Sequence, residues 1–187
     1  LKAGVFHVLG LIKDAGTDHS GRQNRLAHLI AFDETDVYGN QAGPASVAKQ
    51  LRDSRLLIDS WDQQPHEAEP LAIPSFNAEP GICQAWIDAG LDPGVAGELA
   101  EAAATGEKSV LIVPASTDVI ALFADAMLLM PPGTRWKTTF TTCGSGSEDY
   151  VWQAVRADLV EANDARKLPG VIDLTQAYSG KDSPYAS

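Results

Sequence analysis

Residues 109–130 constrain the fold of this chain more than any other stretch. SVLIV at 109–113 is compact, branched and too short for a helix, which predicts a buried strand. Ser116 then stands where a helix cap belongs, and Asp118 falls in the first turn, where a negative charge complements the helix dipole. VIALFADAMLLM at 119–130 supplies about three apolar turns, and Pro131-Pro132-Gly133 stops them. A buried strand running into an apolar helix requires further layers to cover both. The chain therefore reads as α/β or α+β, with mixed sheets and short helices.

The flanking segments extend that pattern. VFHVLGLI (5–12) reads as a strand, and LAHLIAF (26–32) as another, with Leu26, His28, Ile30 and Phe32 on one face. Both faces of this second strand are largely apolar, which predicts a buried position with His28 against the core or a neighbouring element. Asp14, Gly16, Asp18, Ser20 and Gly21 supply turn chemistry between the two. Gly43-Pro44 opens a short helix, ASVAKQLRDS, and residues 56–61 return to an extended pattern. Pro65, Pro70, Pro74 and Pro80 then make a connection that a helix cannot cross, and the boundary between two closely packed parts is placed there. The expected division is a β-rich part over residues 1–75, an α/β part over 76–180 and a mobile tail over 181–187.

Two helices follow, PGICQAWIDA closed by Gly90 and PGVAGELAEAAA closed near Gly106, with Ile82, Ala85, Trp86 and Ala89 spaced as one core-facing stripe. After the central unit, WKTTFTTC (136–143) alternates as a strand with Trp136, Thr138, Phe140 and Thr142 on one side. YVWQAVRA (150–157) is a further strand, the loop GSGSED is long enough for a hairpin between them, and residues 171–174 add a short last strand.

Charge narrows the function classes. The net charge is -11, and residues 56–107 hold ten acids with no Lys or Arg. Such a surface repels nucleic-acid phosphates and anionic lipids and attracts a protein with a basic surface. Base stacking on Trp136, Phe140, Tyr150 and Trp152 would lack its electrostatic partner, so neither nucleic acid nor membrane is an expected partner. The two cysteines, Cys83 and Cys143, match no metal spacing and argue for a reducing compartment. With no signal-peptide pattern and no apolar run long enough to span a bilayer, a cytoplasmic location is expected.

The best candidate site is residues 16–28, GTDHSGRQNRLAH, which holds two of the four histidines. Its two glycines mimic a phosphate-binding loop, but Arg22 and Gln23 stand where Lys and a magnesium-ligating Ser or Thr belong, and a strand rather than a helix follows. Asp18, His19, Arg22, Asn24, Arg25 and His28 remain candidate ligand- or partner-binding residues, since Arg holds carboxylates and phosphates and His moves protons. The alternative is that the arginines pair internally with nearby acids while His28 packs in the sheet. Neither a nucleophile elbow nor a metal-ligand spacing is present, so no catalytic residue, cofactor or metal is assigned.

Several phrases carry a family resemblance: VFHVLGLIKDAGTDHSGRQNRLAHLIAFD, GNQAGPA, Trp61, SVLIVP, LLMPPGTRW and TTFTTC. Together they resemble the bacterial GTPase-associated protein family, in its N-terminal domain of the second type followed by its middle domain. The likeness covers most of residues 4–157 and is sharpest in DHSGRQNRLAH and PPGTRWKTTFTTC. It implies association, by gene neighbourhood, with small GTPases of bacterial signalling or conflict systems and an uncharacterised biochemical activity, and the leading reading is a non-enzymatic adaptor or regulatory module of such a system. It also implies that strand-forming sequence precedes this chain and that more follows it. The competing class is a small-ligand-binding protein or hydrolase centred on Arg22, Arg25 and His28, which requires those side chains to converge in a concave pocket.

Overall fold

A computed structural model of the chain describes residues 2–3, 6–17, 19–58, 60, 70–73, 75, 81–144 and 147–176. The expected proline-rich connection, Trp61 and the 181–187 tail lie mostly or wholly outside these residues. Among the described residues the fold is α/β, built on two sheets. The first is antiparallel, in the order β1 (Lys2–Ala3), β2 (Phe6–Thr17), β3 (Gln23–Phe32). Helices α1 (Glu34–Gly39) and α2 (Pro44–Asp53) follow, and after the connection come α3 (Gln84–Asp88) and α4 (Gly94–Thr105). The remaining elements are β4 (Ser109–Val113), α5 (Val119–Leu128), α6 (Pro132–Arg135), β5 (Phe140–Thr141), β6 (Trp152–Arg156), α7 (Glu161–Ala165) and β7 (Val171–Asp173). The second sheet runs β5-β6-β4-β7 with every neighbouring pair parallel.

Every residue of β4 is buried, as a central parallel strand covered on both faces must be. Leu111 and Val113 join the larger core with Trp86, Leu99, Phe123, Met127 and Trp152, under α3, α4 and α5. Val110 and Ile112 face the other way, onto Val155 and the α7 alanines Ala162 and Ala165. The buried tryptophans keep their indole N–H groups satisfied: Trp86 donates to the Leu122 carbonyl at 3.0 Å and Trp152 to Leu99 at 3.1 Å.

The structure corrects several expectations. Residues 144–149 do not join a hairpin, because β5 and β6 are parallel; strand-like patterning carries no direction. Only Phe140–Thr141 of 136–143 is a strand. Pro132 sits at the first position of a one-turn helix, α6, which Trp136 ends with a helical backbone, so the strand starts four residues later than the Trp/Thr alternation suggested. Asp118, not Ser116, caps α5, its carboxylate accepting the Ala121 N–H at 3.2 Å. Ile82 lies outside α3 and is 72% exposed, so the core stripe there reduces to Trp86 with half-buried Ala85, while Ala89 is exposed. Most consequentially, strand β3 is not buried on both faces.

A clasp ties the first sheet and α2 to the parallel-sheet layer. Trp136, at the end of α6, donates its Nε1–H to the Asn40 carbonyl at 2.7 Å. Its ring lies 5.4 Å from the rings of both Phe32 and His7. Arg135 is 2% exposed, and its guanidinium donates to the carbonyls of Met130, Gln41 and Leu128, each at 2.9 Å. Two of those carbonyls lie at the C-terminal end of α5, where the helix dipole favours a cation. Gly43 closes the clasp at φ 91°: a Cβ there would meet Arg135 Cβ and Met127 Sδ, each at 2.8 Å. The phrases GNQAGPA and PPGTRW are thus two halves of one contact.

Candidate functional site

The candidate residues lie along the ribbon that β2 and β3 form, and its register decides which of them can meet. On one face Leu9 opposes Ile30, Leu11 opposes His28 and Lys13 opposes Leu26. On the other, Gly10 opposes Leu29, Ile12 opposes Ala27 and Asp14 opposes Arg25. The first face turns inward: Leu9 and Ile30 pack on the cluster of Phe32, Val47, Leu51 and Trp136. His28, half-buried on that face, accepts the Ile58 N–H on Nδ1 at 2.8 Å, so it pins the chain that leaves α2.

Arg25 and His28 are three residues apart on one strand, and the pleat sends them to opposite faces. Arg25 is held instead with Asp14, 3.9 Å away, both side chains more than 70% exposed. A pair so exposed contributes little to stability. His19 lies in the connecting turn, and Arg22 and Asn24 lie on its return side, all three exposed. Asp18 falls outside the described residues. Gly16 and Gly21 adopt positive φ, 80° and 81°, and give the tight reversal that leads into β3. The structure therefore brings Arg25 to Asp14, separates it from His28 and strings the other candidates around an outward-pointing tip.

The outer face is where the ribbon departs from a structural element. Ile12 is 66% exposed and Leu29 63%, and Phe6 near the base is also exposed. Leu29 folds across Gly10, its Cδ2 2.8 Å from where a Cβ on that residue would stand. Of these, Leu29 lies in the strand expected to be buried on both faces. The pattern held a clue in its small residues: Gly10, Ala27 and Ala31 share the face with Ile12 and Leu29, and a face so small and ending in an Asp14/Arg25 pair packs poorly against a second layer.

A second set of charged groups went unnoticed in the sequence, at the junction of α2 and α5. Arg52 holds Asp118 bidentately, at 2.6 and 2.7 Å. These two bonds to the Asp118 carboxylate raise the arginine above its ordinary pKa. Burial opposes ionisation of Asp118, yet the bonds from Arg52 and the Ala121 N–H keep its carboxyl below the usual range. Asp125, in the middle of the apolar α5 sequence, is pushed the other way by burial, and one of its oxygens accepts the Ala85 N–H at 2.7 Å. An acid inside VIALFADAMLLM was the available sign. Burial, reinforced by Asp125, pushes the nearby Cys83 thiol up to about 11, which keeps it protonated and poorly nucleophilic.

Among the described residues no three His, Cys, Asp or Glu side chains cluster as a metal site, and no helix is long and apolar enough to cross a membrane. Comparison of the chain with protein-family models, with curated proteins and with solved structures gave no significant match.

Proposed function

We propose that the chain is a non-enzymatic adaptor or regulatory module of a bacterial GTPase-linked signalling or conflict system, and that the outer face of the β2–β3 ribbon contacts its partner, a small GTPase. The GTPase link rests on the resemblance carried by DHSGRQNRLAH and PPGTRWKTTFTTC. The observation that favours an adaptor over the small-ligand or hydrolase reading is the placement of Arg25 and His28 on opposite faces of the ribbon. Residues so placed cannot share one substrate, whereas Ile12 and Leu29 form an exposed apolar patch whose margin is the Asp14–Arg25 pair. That combination suits a protein surface carrying its own apolar residues and charges of both signs.

The test is a binding titration of the purified chain against the GTPase encoded beside it, loaded with GDP or with a non-hydrolysable GTP analogue. Binding is expected in at least one nucleotide state and should weaken at least about tenfold in the Ile12→Asp/Leu29→Asp variant, a loss of about 1.4 kcal/mol. Absence of binding in both states overturns the adaptor reading. Binding that the double variant leaves intact overturns the assignment of the surface, and the acidic 56–107 segment then becomes the face to test.

A further inference from the structure

Strand β3 is an edge of the first sheet, 10 residues long, and among the described residues no main-chain group pairs with its outer side. On such a strand every second residue turns its N–H and C=O away from the sheet, and folded proteins guard these groups with short strands, charges, prolines or bulges. The other edges among the described residues are guarded. β5 and β7, which bound the parallel sheet, have 2 and 3 residues. β2 pairs with β1 at its base, carries Lys13 and Asp14, and slips register between Asp14 and Thr17. β3 is bare by comparison. It holds no proline, its register against β2 runs unbroken from Arg25 to Phe32, and residues 26–32 include no Lys, Arg, Asp or Glu. The chain leaving α2 does not close it, since the Ile58 N–H goes to the His28 side chain on the inner face and not to the strand's main chain.

Only an extended backbone satisfies a row of alternating donors and acceptors, and β3 is itself suited to supply one. Two copies of β3 laid antiparallel about a two-fold axis through His28 set residue 27 of each against residue 29 of the other, 26 against 30, and 25 against 31. On the outer face Leu29 then lies over Ala27, a large side chain beside a small one, and on the inner face Leu26 meets Ile30. Arg25, the one charged residue of the strand, faces Ala31, so the two arginines stand at opposite ends of the pairing and no like charges meet. His28 meets its counterpart at the axis with Nδ1 already engaged by Ile58.

We infer that β3 pairs antiparallel with β3 of a second copy of this chain, about a two-fold axis at His28, joining the two first sheets in the order β1-β2-β3-β3-β2-β1. The interface is isologous, with the same strand edge used by both copies. The axis is perpendicular to the sheet, so both outer faces fall on one side and stay open. The pairing uses the edge alone and stands apart from the GTPase reading.

The test is sedimentation equilibrium of the full chain over a range of concentrations, with hydrogen exchange of the β3 amides alongside. A monomer–dimer equilibrium is expected, and protection at alternate β3 amides should rise with concentration. Ala27→Lys/Leu29→Lys sets lysine against lysine on both sides of the axis and should raise the dimer dissociation constant at least about tenfold. Ala27→Lys/Leu29→Glu sets lysine against glutamate instead and should return it to within about threefold of the parent. Both positions are exposed, so the ribbon itself has room for either pair. A chain that stays monomeric at millimolar concentration overturns the proposal, and so does a dimer that the double-lysine variant leaves intact. Equal weakening by the two variants overturns it as well, because a face-to-face dimer through Leu29 would respond in that way. If a variant folds poorly the parent decides: dimerisation without added protection at alternate β3 amides contradicts the edge pairing.

Discussion

The clasp at residues 40–43 and 135–136 and the distal half of the β2–β3 ribbon carry similar residue types and use them in opposite ways. In the clasp, Arg135 gives its guanidinium to three backbone carbonyls and Trp136 fills the space beside Phe32. In the ribbon, Arg25 reaches only an exposed acid, and Ile12 and Leu29 point to solvent. An arginine consumed by carbonyls belongs to the fold. An arginine beside exposed apolar residues is open to a partner. The two regions also share Phe32, which ends β3 and packs on Trp136, so the clasp is what holds the ribbon's base while its outer face stays uncovered.

The sharpest way to break this comparison is to attack the clasp. Trp136→Ala removes a buried indole, its aromatic contacts and a 2.7 Å hydrogen bond, and should cost about 3–5 kcal/mol in urea denaturation. A cost near that of a surface change would mean that the clasp is not what joins the layers. Arg135→Met leaves three carbonyls without their donor and should cost about 2–3 kcal/mol, even though it removes a charge whose pKa burial already lowers. Gly43→Ala forces a side chain into a left-handed backbone and against Met127 and Arg135; the same assay should show about 1–3 kcal/mol.

Between the two extremes lies the Arg52–Asp118 pair, bidentate but substantially exposed. The folded-state pKa of Asp118 is depressed, so its contribution is present above the unfolded carboxylate value of about 3.9 and is lost as pH falls through the lower folded value. Asp118→Asn should flatten the acid limb of the stability profile slightly, by less than about 1 kcal/mol after solvent screening. Asp125 has the opposite sign. Its folded pKa is raised, so its ionised form opposes folding above that value and the penalty is relieved as pH falls through it. Asp125→Asn should therefore leave stability at neutral pH unchanged or slightly higher, which a pH series of urea midpoints would show.

How much of this was legible in the sequence follows from what each residue's neighbours in the chain can specify. Strand β4, helix α5 and both ribbon strands were readable because their apolar periodicity is local. Direction was not, so the parallel pairing of β5 and β6 passed for a hairpin. Burial was only hinted at: Ile12 and Leu29 sit in runs nearly as apolar as β4, and the small residues Gly10, Ala27 and Ala31 on their face are what sets them apart. The role of Arg135 depended on carbonyls as distant in sequence as Gln41. Within the candidate list at 18–28, three-residue spacing on a strand already forbids Arg25 and His28 from sharing a face. The surroundings of Asp125 were hidden for a simpler reason: an acid in an apolar helix meets Ala85 and Lys49 only when α3 and α2 pack on α5.

The most direct test of the contrast between clasp and ribbon is the urea midpoint of the Ile12→Asp/Leu29→Asp variant. Two carboxylates placed on a face that is truly exposed should shift stability by no more than about 1 kcal/mol. A drop comparable with that expected for Trp136→Ala would show that the ribbon's outer face is part of the core and would contradict the account.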